Sequence, residues 1–336
     1  MSDVGKNLQH AASEALSKAK DAAASLQDSH EKAGERPKPI HQNVSVIVFN
    51  PTIKSEGGKK LSEVMGWSKP DELTQKYIAD VKEASYGYIT YGVVERIEVD
   101  GFPAKKDGFV YKAEDFLKHL RAGSGFHTPD EVDYKPILEK YEIVEKVNRG
   151  SIDEVWLYAF PYAGFYESIM GGPGAFWCNA PVLEGADQAK KRFVIMGFNY
   201  ERGAGQMLEN LGHRAESIMK HTYRHKSGDD NLWERFTRYD KTHPGQSEVG
   251  IVHYAPNSTK DYEWGNKTKV KSRYHVWKNF PNLEGVPIEV DDSHWGGGDI
   301  REHHMWWFKL MPHITGSGKG IAYNWWQYII DPNLVN

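Results

Sequence analysis

The sequence contains a single cysteine, Cys178, among its 336 residues. One thiol cannot form an intrachain disulfide, and it cannot supply the several thiolates of a cysteine-rich zinc knuckle. Cys178 lies in an aromatic segment, Phe176 to Asn179. A cysteine in such surroundings is typically a buried structural thiol rather than a nucleophile.

Long apolar runs and a large net charge are also missing. No apolar run approaches the ~18 residues of a membrane-spanning helix, so no membrane span is expected. The formal net charge of −4 argues against nucleic-acid binding through phosphate neutralisation. The glycine-rich segments 203–205 and 316–320 lack the spacings of dinucleotide and phosphate loops, so no nucleotide cofactor is expected.

Residues 1–40 differ in composition from the rest of the chain. They are rich in Ala, Ser and Lys and contain no aromatic residue. We expect a loosely ordered helical leader. Without an apolar central region it is not a secretory signal peptide, which makes the protein cytoplasmic by default. The alternative is a leader recognised by a protein partner or by an export route other than the general secretory one.

Short apolar runs predict the strands of an α/β fold. The runs are 44–50, 152–160, 193–198 and 249–254, and alternation adds a strand within 86–99. Continuous apolar runs are typical of strands buried on both faces. Helical patterns cover 70–84, 112–122 and the region after Gly205, and 134–147 is another helix or a mixture of helix and strand. This alternation predicts a mostly parallel central sheet with helices on both faces.

Aromatic residues set the C-terminal part of the chain apart. Eight of the eleven tryptophans lie from Trp233 onward. Such a segment is too aromatic to be disordered. We therefore expect three regions: the leader 1–40, an α/β core 41–260, and an irregular, aromatic-rich cap 261–336 packed on that core.

The stretch 191–221 indicates where chemistry would occur. Its order is strand, glycine-rich turn and helix, and ligands of parallel sheets bind beyond the carboxyl ends of the strands. Asn199, Glu201 and Arg202 follow one strand and Glu167 follows another. Glu167 and Glu201 are thus catalytic candidates, because two carboxylates at one rim can divide acid and base roles. Asn199 and Arg202 would bind the substrate. Alternatively, Glu201 and Arg202 form a local ion pair.

The helix after Gly205 carries a polar face opposite its apolar stripe. Glu209, His213, Glu216 and Lys220 recur along this face. Two carboxylates and an imidazole in line, Glu209, Glu216 and His213, are a plausible set of metal ligands or acid/base groups. His213 is a candidate proton shuttle, and His213 with Glu216 could bind a divalent metal such as zinc or manganese. The alternative is a solvated face, unless the C-terminal third folds over it.

Histidines of the C-terminal third form a second candidate metal set. We include His294 and His303 as ligand candidates. His303 and His304 are adjacent, so on a helix or strand they point in different directions. The alternative is a group of ordinary hydrogen-bonded histidines beside aromatic rings.

The tail tryptophans could bind sugars. Trp295, Trp306 and Trp325 offer flat rings that match the apolar faces of pyranoses, although tryptophans more often supply core. The leading hypothesis is a hydrolase, with or without a metal, that acts on a polar polymer in a cleft between the sheet rim and the cap. A glycan is favoured over a peptide. The rival hypothesis is a non-catalytic glycan- or partner-binding effector or structural protein, delivered or assembled through its leader.

Overall fold

A five-stranded sheet organises residues 35–336, the part of the chain that the computed structural model describes. Its order is β4-β1-β5-β7-β6, and only β6 runs antiparallel to its neighbour. In chain order the strands are β1 (Ile40–Phe49), β2 (Thr52–Ile53), β3 (Lys59–Lys60), β4 (Ile89–Val99), β5 (Glu154–Ala159), β6 (Ser168–Gly171), β7 (Phe193–Asn199), β8 (Val270–Ser272), β9 (Ile288–Val290), β10 (His313–Gly318) and β11 (Ile321–Asn324). The mostly parallel central sheet is therefore confirmed. The helical leader predicted at the N-terminus falls largely on residues 1–34, which lie outside the described part.

Helices pack on both faces of this sheet. In chain order they are α1 (Leu61–Met65), α2 (Pro70–Ala84), α3 (Ala113–Ala122), α4 (Lys135–Lys140), α5 (Ile143–Asn148), α6 (Ala204–Thr222), α7 (Leu232–Phe236), α8 (Ile300–Lys309) and α9 (Trp326–Ile330). Trp156 of β5 meets the ring of Tyr77 on α2. On the opposite face, Ser45 of β1 donates to Glu95, which also accepts from Lys146 of α5. Successive strand residues alternate between faces, so the two helices lie on opposite sides.

The sheet topology places the candidate rim. Strand β4 lies on one side of β1 in the sheet, and β5, which follows β4 in the chain, lies on the other side of β1. Strands β5 and β7 are adjacent and parallel, so their carboxyl ends lie at the same edge. The loops that follow Ala159 and Asn199 therefore meet there, as the sequence predicts.

One predicted strand is wrong. The run 249–254 is a turn, because Gly250 adopts a φ of 93° and Ile251 pairs back onto Tyr254. A positive φ of this kind is open to glycine and strained for most other residues. The apolar residues of this run, Val249 and Val252, are still buried, so burial rather than strand pairing explains the pattern.

A buried ion pair ties α6 to the sheet and to the C-terminal helix. Arg214 of α6 contacts Glu154 of β5 at 2.6 Å, and each side chain is 1% exposed. The same guanidinium donates to the carbonyls of Ile329 and Ile330 in α9. Because the Arg214 guanidinium of α6 bonds to both β5 and α9, it fixes the positions of these three elements relative to one another.

The C-terminal third forms an irregular aromatic layer against α6, as the sequence predicts. Rings of Trp307 and Trp325 surround Phe236, and Trp277 packs against both Phe236 and Trp325. Glu248 is fully buried beneath them and accepts from Arg235, Arg273 and the indole of Trp277. No helix within residues 35–336 is long and apolar enough to cross a membrane.

Candidate metal centre

The first half of the polar face of helix α6, at Glu209 and His213, lies under a folded loop rather than in open water. Its apolar stripe, including Leu208, Leu211 and Ile218, is fully buried in the core. Glu209 and His213 lie one turn apart on the other side, as the i, i+4 spacing requires. Glu209 is nevertheless only 5% exposed. The second carboxylate of this face, Glu216, lies one further turn along.

The loop that covers this face runs from Val249 to Trp264. Val252 donates its backbone N–H to Glu216, and its carbonyl accepts from the indole of Trp264. A Cβ at position 212 would lie 2.4 Å from the Val252 side chain. Gly212 therefore permits the close approach, although glycine inside a helix costs about 1 kcal/mol relative to alanine. This close contact between Val252 and Gly212 places His253 next to α6.

Four side chains converge where the loop meets α6. The Nε2 atoms of His213 and His253 are 3.0 Å apart. Glu209 Oε1 lies 3.2 Å from the Nε2 of His253 and 4.0 Å from that of His213. Glu167 Oε2 lies 3.8 Å from the Nε2 of His213. Glu209, His213 and His253 together form a group that could hold a metal ion.

The outward nitrogens of the two imidazoles face carboxylates. His213 Nδ1 is 3.0 Å from Glu216 Oε2, and His253 Nδ1 is 3.6 Å from Asp261 Oδ1. An ionised carboxylate only accepts hydrogen bonds, so His213 Nδ1 carries the hydrogen that faces Glu216 and, in the neutral ring, its Nε2 presents a lone pair. The Nε2 of His253 faces both this lone pair and the Glu209 carboxylate. A proton on the His253 Nε2, or a cation between the three groups, satisfies both acceptors.

This donor set fits a small divalent cation. Zinc bonds to imidazole at 2.0–2.1 Å, which places neighbouring donor atoms of a tetrahedral shell about 3.3 Å apart. The 3.0 and 3.2 Å separations at His253 are close to this value. Metal-bound histidines commonly direct their other ring nitrogen to a carboxylate. Glu216 and Asp261 occupy that outer position here.

The acidic surroundings shift the ionisation of the group. Burial acts to lower the pKa of His213, but the hydrogen bond to Glu216 and the charges of Glu216, Glu167 and Glu209 raise it above its usual value. Burial acts to raise the pKa of Glu209, yet the hydrogen bond with His253 and the nearby histidines lower it. Glu209 is thus ionised at neutral pH, and the centre attracts positive charge.

His304 of α8 adds a buried imidazole next to this group. Its Nδ1 faces the carbonyl of Ile300, and its Nε2 has no hydrogen-bond partner within residues 35–336. Burial is the largest effect on the pKa of His304 and lowers it. Ile300 and Glu209 partly oppose this effect, and the resulting pKa is about 4. The ring is therefore neutral at pH 7, with a lone pair on Nε2.

Glu167 connects the centre to a cavity at the sheet rim. Its carboxylate accepts from the side chain of Asn179 at 2.6 Å. It also lines a cavity of about 220 Å³ together with Asn199 and Arg202. Glu201 lies in the same β7–α6 loop, about half exposed and 3.9 Å from the Arg202 guanidinium. The cavity is therefore polar and carries both charges.

A second, larger cavity also borders the centre. It has a volume of about 660 Å³. His213, Glu216 and the exposed ring of Trp177 are among the residues that line it. The centre therefore borders two cavities, one at the sheet rim and one along α6.

The remaining predicted metal ligands lie apart from this group. His294 exchanges a hydrogen bond with Tyr274 at 3.0 Å. His303 is fully buried against the ring of Trp264, and neither of its nitrogens has a partner within residues 35–336. Burial lowers the pKa of His303 far below its usual value, so this ring stays neutral.

The tail tryptophans lie in the core. Trp295 donates its indole N–H to the carbonyl of Trp264, and Trp325 donates to the hydroxyl of Tyr223. Both rings are at most 1% exposed. Trp306 is partly exposed, and its ring packs on Tyr274 and Trp295. The tryptophan with an exposed ring beside a cavity is Trp177.

Sequence reasoning missed His253 and Asp261, whereas Glu209 and His213 belong to the helix face that it predicted to carry metal ligands or acid/base groups. His253 lies 40 residues after His213 in a run interpreted as a strand, so no local spacing links the two. One available signal was Gly212, because a glycine inside a strong helical pattern indicates a close approach of another segment.

Comparisons with family models, with curated proteins and with solved structures gave no match to this chain.

Proposed function

We propose that the protein is a metal-dependent hydrolase that acts on a polar polymer, with a glycan favoured over a peptide. One observation carries the proposal: two imidazole Nε2 atoms face each other at 3.0 Å beside the Glu209 carboxylate. Both outward Nδ1 atoms face carboxylates. This is the donor arrangement of a metal centre with an outer shell.

The residues divide into three roles. Glu209, His213 and His253 hold a divalent cation such as zinc or manganese, which supplies Lewis acidity and an activated water. Glu167 lies within 3.8 Å of the His213 ring and opens onto the rim cavity, so it can remove or return a proton there. Arg202 and Asn199 line the same cavity and bind polar groups of the substrate.

The test combines metal analysis with turnover. The purified protein is expected to contain about one equivalent of zinc or manganese and to hydrolyse members of a pooled set of glycans and peptides. His253→Ala loses metal and activity together, whereas Glu167→Gln keeps the metal and loses activity. His243→Ala is the matched control, because His243 lies outside the centre and bonds to Thr242.

Two results would overturn the proposal. The first is a wild-type protein that binds no divalent cation under conditions in which the fold is intact. The second is turnover that survives in His253→Ala. The exposed ring of Trp177 beside the larger cavity favours one rival, a glycan-binding protein without catalysis. That rival predicts binding without turnover.

A further inference from the structure

One stripe of helix α6 continues from the metal centre into a groove. His213, Glu216, Lys220 and Arg224 follow at intervals of three or four residues, so they line one side of the helix and the turn after it. With a rise of 1.5 Å per residue, Lys220 lies about 10 Å along the axis from His213. We call the 660 Å³ cavity on this stripe the α6 groove. Its lining includes Trp177, His213, Glu216, Lys220, Arg224 and Thr237.

The two ends of the α6 groove differ in charge. The end at Glu216 is acidic, but both oxygens of this carboxylate are engaged, by His213 and by the Val252 N–H. At the other end Lys220 is exposed and forms no ion pair with any residue in the range 35–336. Arg224 donates to main-chain oxygens of His221 and Asn336. The far end therefore offers the exposed cation of Lys220 beside a guanidinium that main-chain oxygens hold in place.

His221 also lines the α6 groove, and its pKa is affected by the cations nearby. Its ring stacks on Phe176 at 3.8 Å, within the segment that carries Trp177. Burial is the first cause that lowers the pKa of His221, and the positive charges of Arg224, Arg192 and His225 lower it further. An anionic group that enters this end would relieve the repulsion among these cations.

Trp177 supplies a flat apolar surface between the two ends. Its side chain is 62% exposed, while its neighbours Phe176 and Cys178 are partly and fully buried. An exposed indole that lines a groove is free to stack on a ring of a ligand. The hydroxyls of Ser217 and Thr237 line the same groove and can bond to ligand hydroxyls.

We propose that the α6 groove binds an acidic oligosaccharide, with a sugar ring stacked on Trp177 and its carboxylate or sulfate against Lys220 and Arg224. This names the substrate class of the proposed hydrolase and rests on that function for the bond that is cut. The ~10 Å between the metal centre and the cationic end, set by the helical rise, selects a chain of at least two sugars. A volume of 660 Å³ falls within the ~300–1,000 Å³ usual for small-ligand sites.

The test is a calorimetric titration of the full chain with tetragalacturonate and with its carboxyl-reduced, neutral counterpart. Each titration is run on zinc-loaded and on chelator-treated protein. The acidic probe is expected to bind more tightly in both metal states. Lys220→Gln weakens binding of the acidic probe by about fivefold, the size of one exposed ion pair. The same variant leaves binding of the neutral probe unchanged.

Two further variants separate stacking from charge. Trp177→Ala weakens binding of both probes, because it removes the shared ring surface. Lys267→Gln is the control, since Lys267 is exposed and lies outside the α6 groove. At 0.5 M salt the advantage of the acidic probe should vanish, because screening acts within a few ångströms at that ionic strength.

The outcomes separate this inference from the proposed function. The protein could bind the acidic probe in a Lys220-dependent way and yet hydrolyse nothing and hold no metal. That result would support the acidic-oligosaccharide groove and overturn the proposed hydrolase function. Equal affinity for the two probes overturns the groove, whatever the metal content. Binding of adenosine monophosphate with the same dependence on Trp177 and Lys220, without oligosaccharide binding, also overturns it, because the ligand would then be a nucleotide.

Discussion

Metal loading should raise the stability of the folded protein, and removal of His253 should abolish that gain. The donor atoms are already close together in the fold, with 3.0 Å between the two Nε2 atoms and 3.2 Å to Glu209. Little rearrangement is needed to bind a cation. An unfolded chain would hold these donors far apart, because His253 lies 40 residues from His213.

The size of the effect follows from linkage. A ligand present at 100 times its dissociation constant adds about 2.7 kcal/mol to the free energy of unfolding. An unfolding entropy of about 2.1 cal/mol/K per residue gives about 0.7 kcal/mol/K for 336 residues. The predicted rise in melting temperature is therefore about 4 °C.

Differential scanning calorimetry across a zinc titration measures this shift. Wild type and the control His243→Ala should both rise with zinc, and chelator should reverse the rise. His253→Ala should show a flat response. A wild-type protein with no zinc-dependent shift, or a His253→Ala variant with the full shift, would refute the reasoning.

Three other predictions concern a buried ion pair, the approach of the loop to α6 and an ion pair on the far face of the sheet. Arg214→Met should lower the free energy of unfolding by about 3–5 kcal/mol in urea titrations, because it leaves a buried carboxylate without its partner. Gly212→Ala should weaken zinc binding at least tenfold in competition with a chelator, since its Cβ would displace the loop that carries His253. Although burial acts to raise it, hydrogen bonds from Lys146 and a serine lower the pKa of Glu95 below its usual 4.5. Its ionised form therefore stabilises the fold fully above pH 4.5, and the destabilisation caused by Glu95→Gln should shrink as pH falls below that value in thermal melts.

Elements with strong local signals were predicted well. Helix α2 begins at Pro70 and ends at Ala84, because proline favours the first helical position and a clear apolar pattern follows. Strand β7 covers the predicted run with one added residue. In both elements the local pattern and the tertiary burial agree, so the sequence alone is sufficient.

The metal group shows where local reasoning stops. The spacing of Glu209 and His213 indicated a functional face, but whether that face is wet depends on the loop from Val249 to Trp264. The sequence predicts a strand for the first part of that loop, residues 249–254, because this run is short and apolar. Only the tertiary fold shows that it turns at Gly250 and returns to α6.

The tryptophans show the limit of composition as a guide. Trp295 and Trp325 were candidates for sugar binding because the C-terminal third contains many tryptophans, but the fold buries both rings. Trp177 is isolated in the sequence, and its exposure follows from the loop that carries it. Composition identifies how much aromatic surface a chain has, whereas only packing determines which ring remains outside.

The late arrival of His253 has a consequence for how the protein matures. As the chain leaves the ribosome, α6 brings His213 and Glu209 of the centre, and the second imidazole of the centre, His253, follows 40 residues later. If the centre binds a cation as proposed, it would do so only after Val252 has packed against Gly212. Metal content would thus report completed assembly of the C-terminal third, and it could serve as a quality check on freshly made protein.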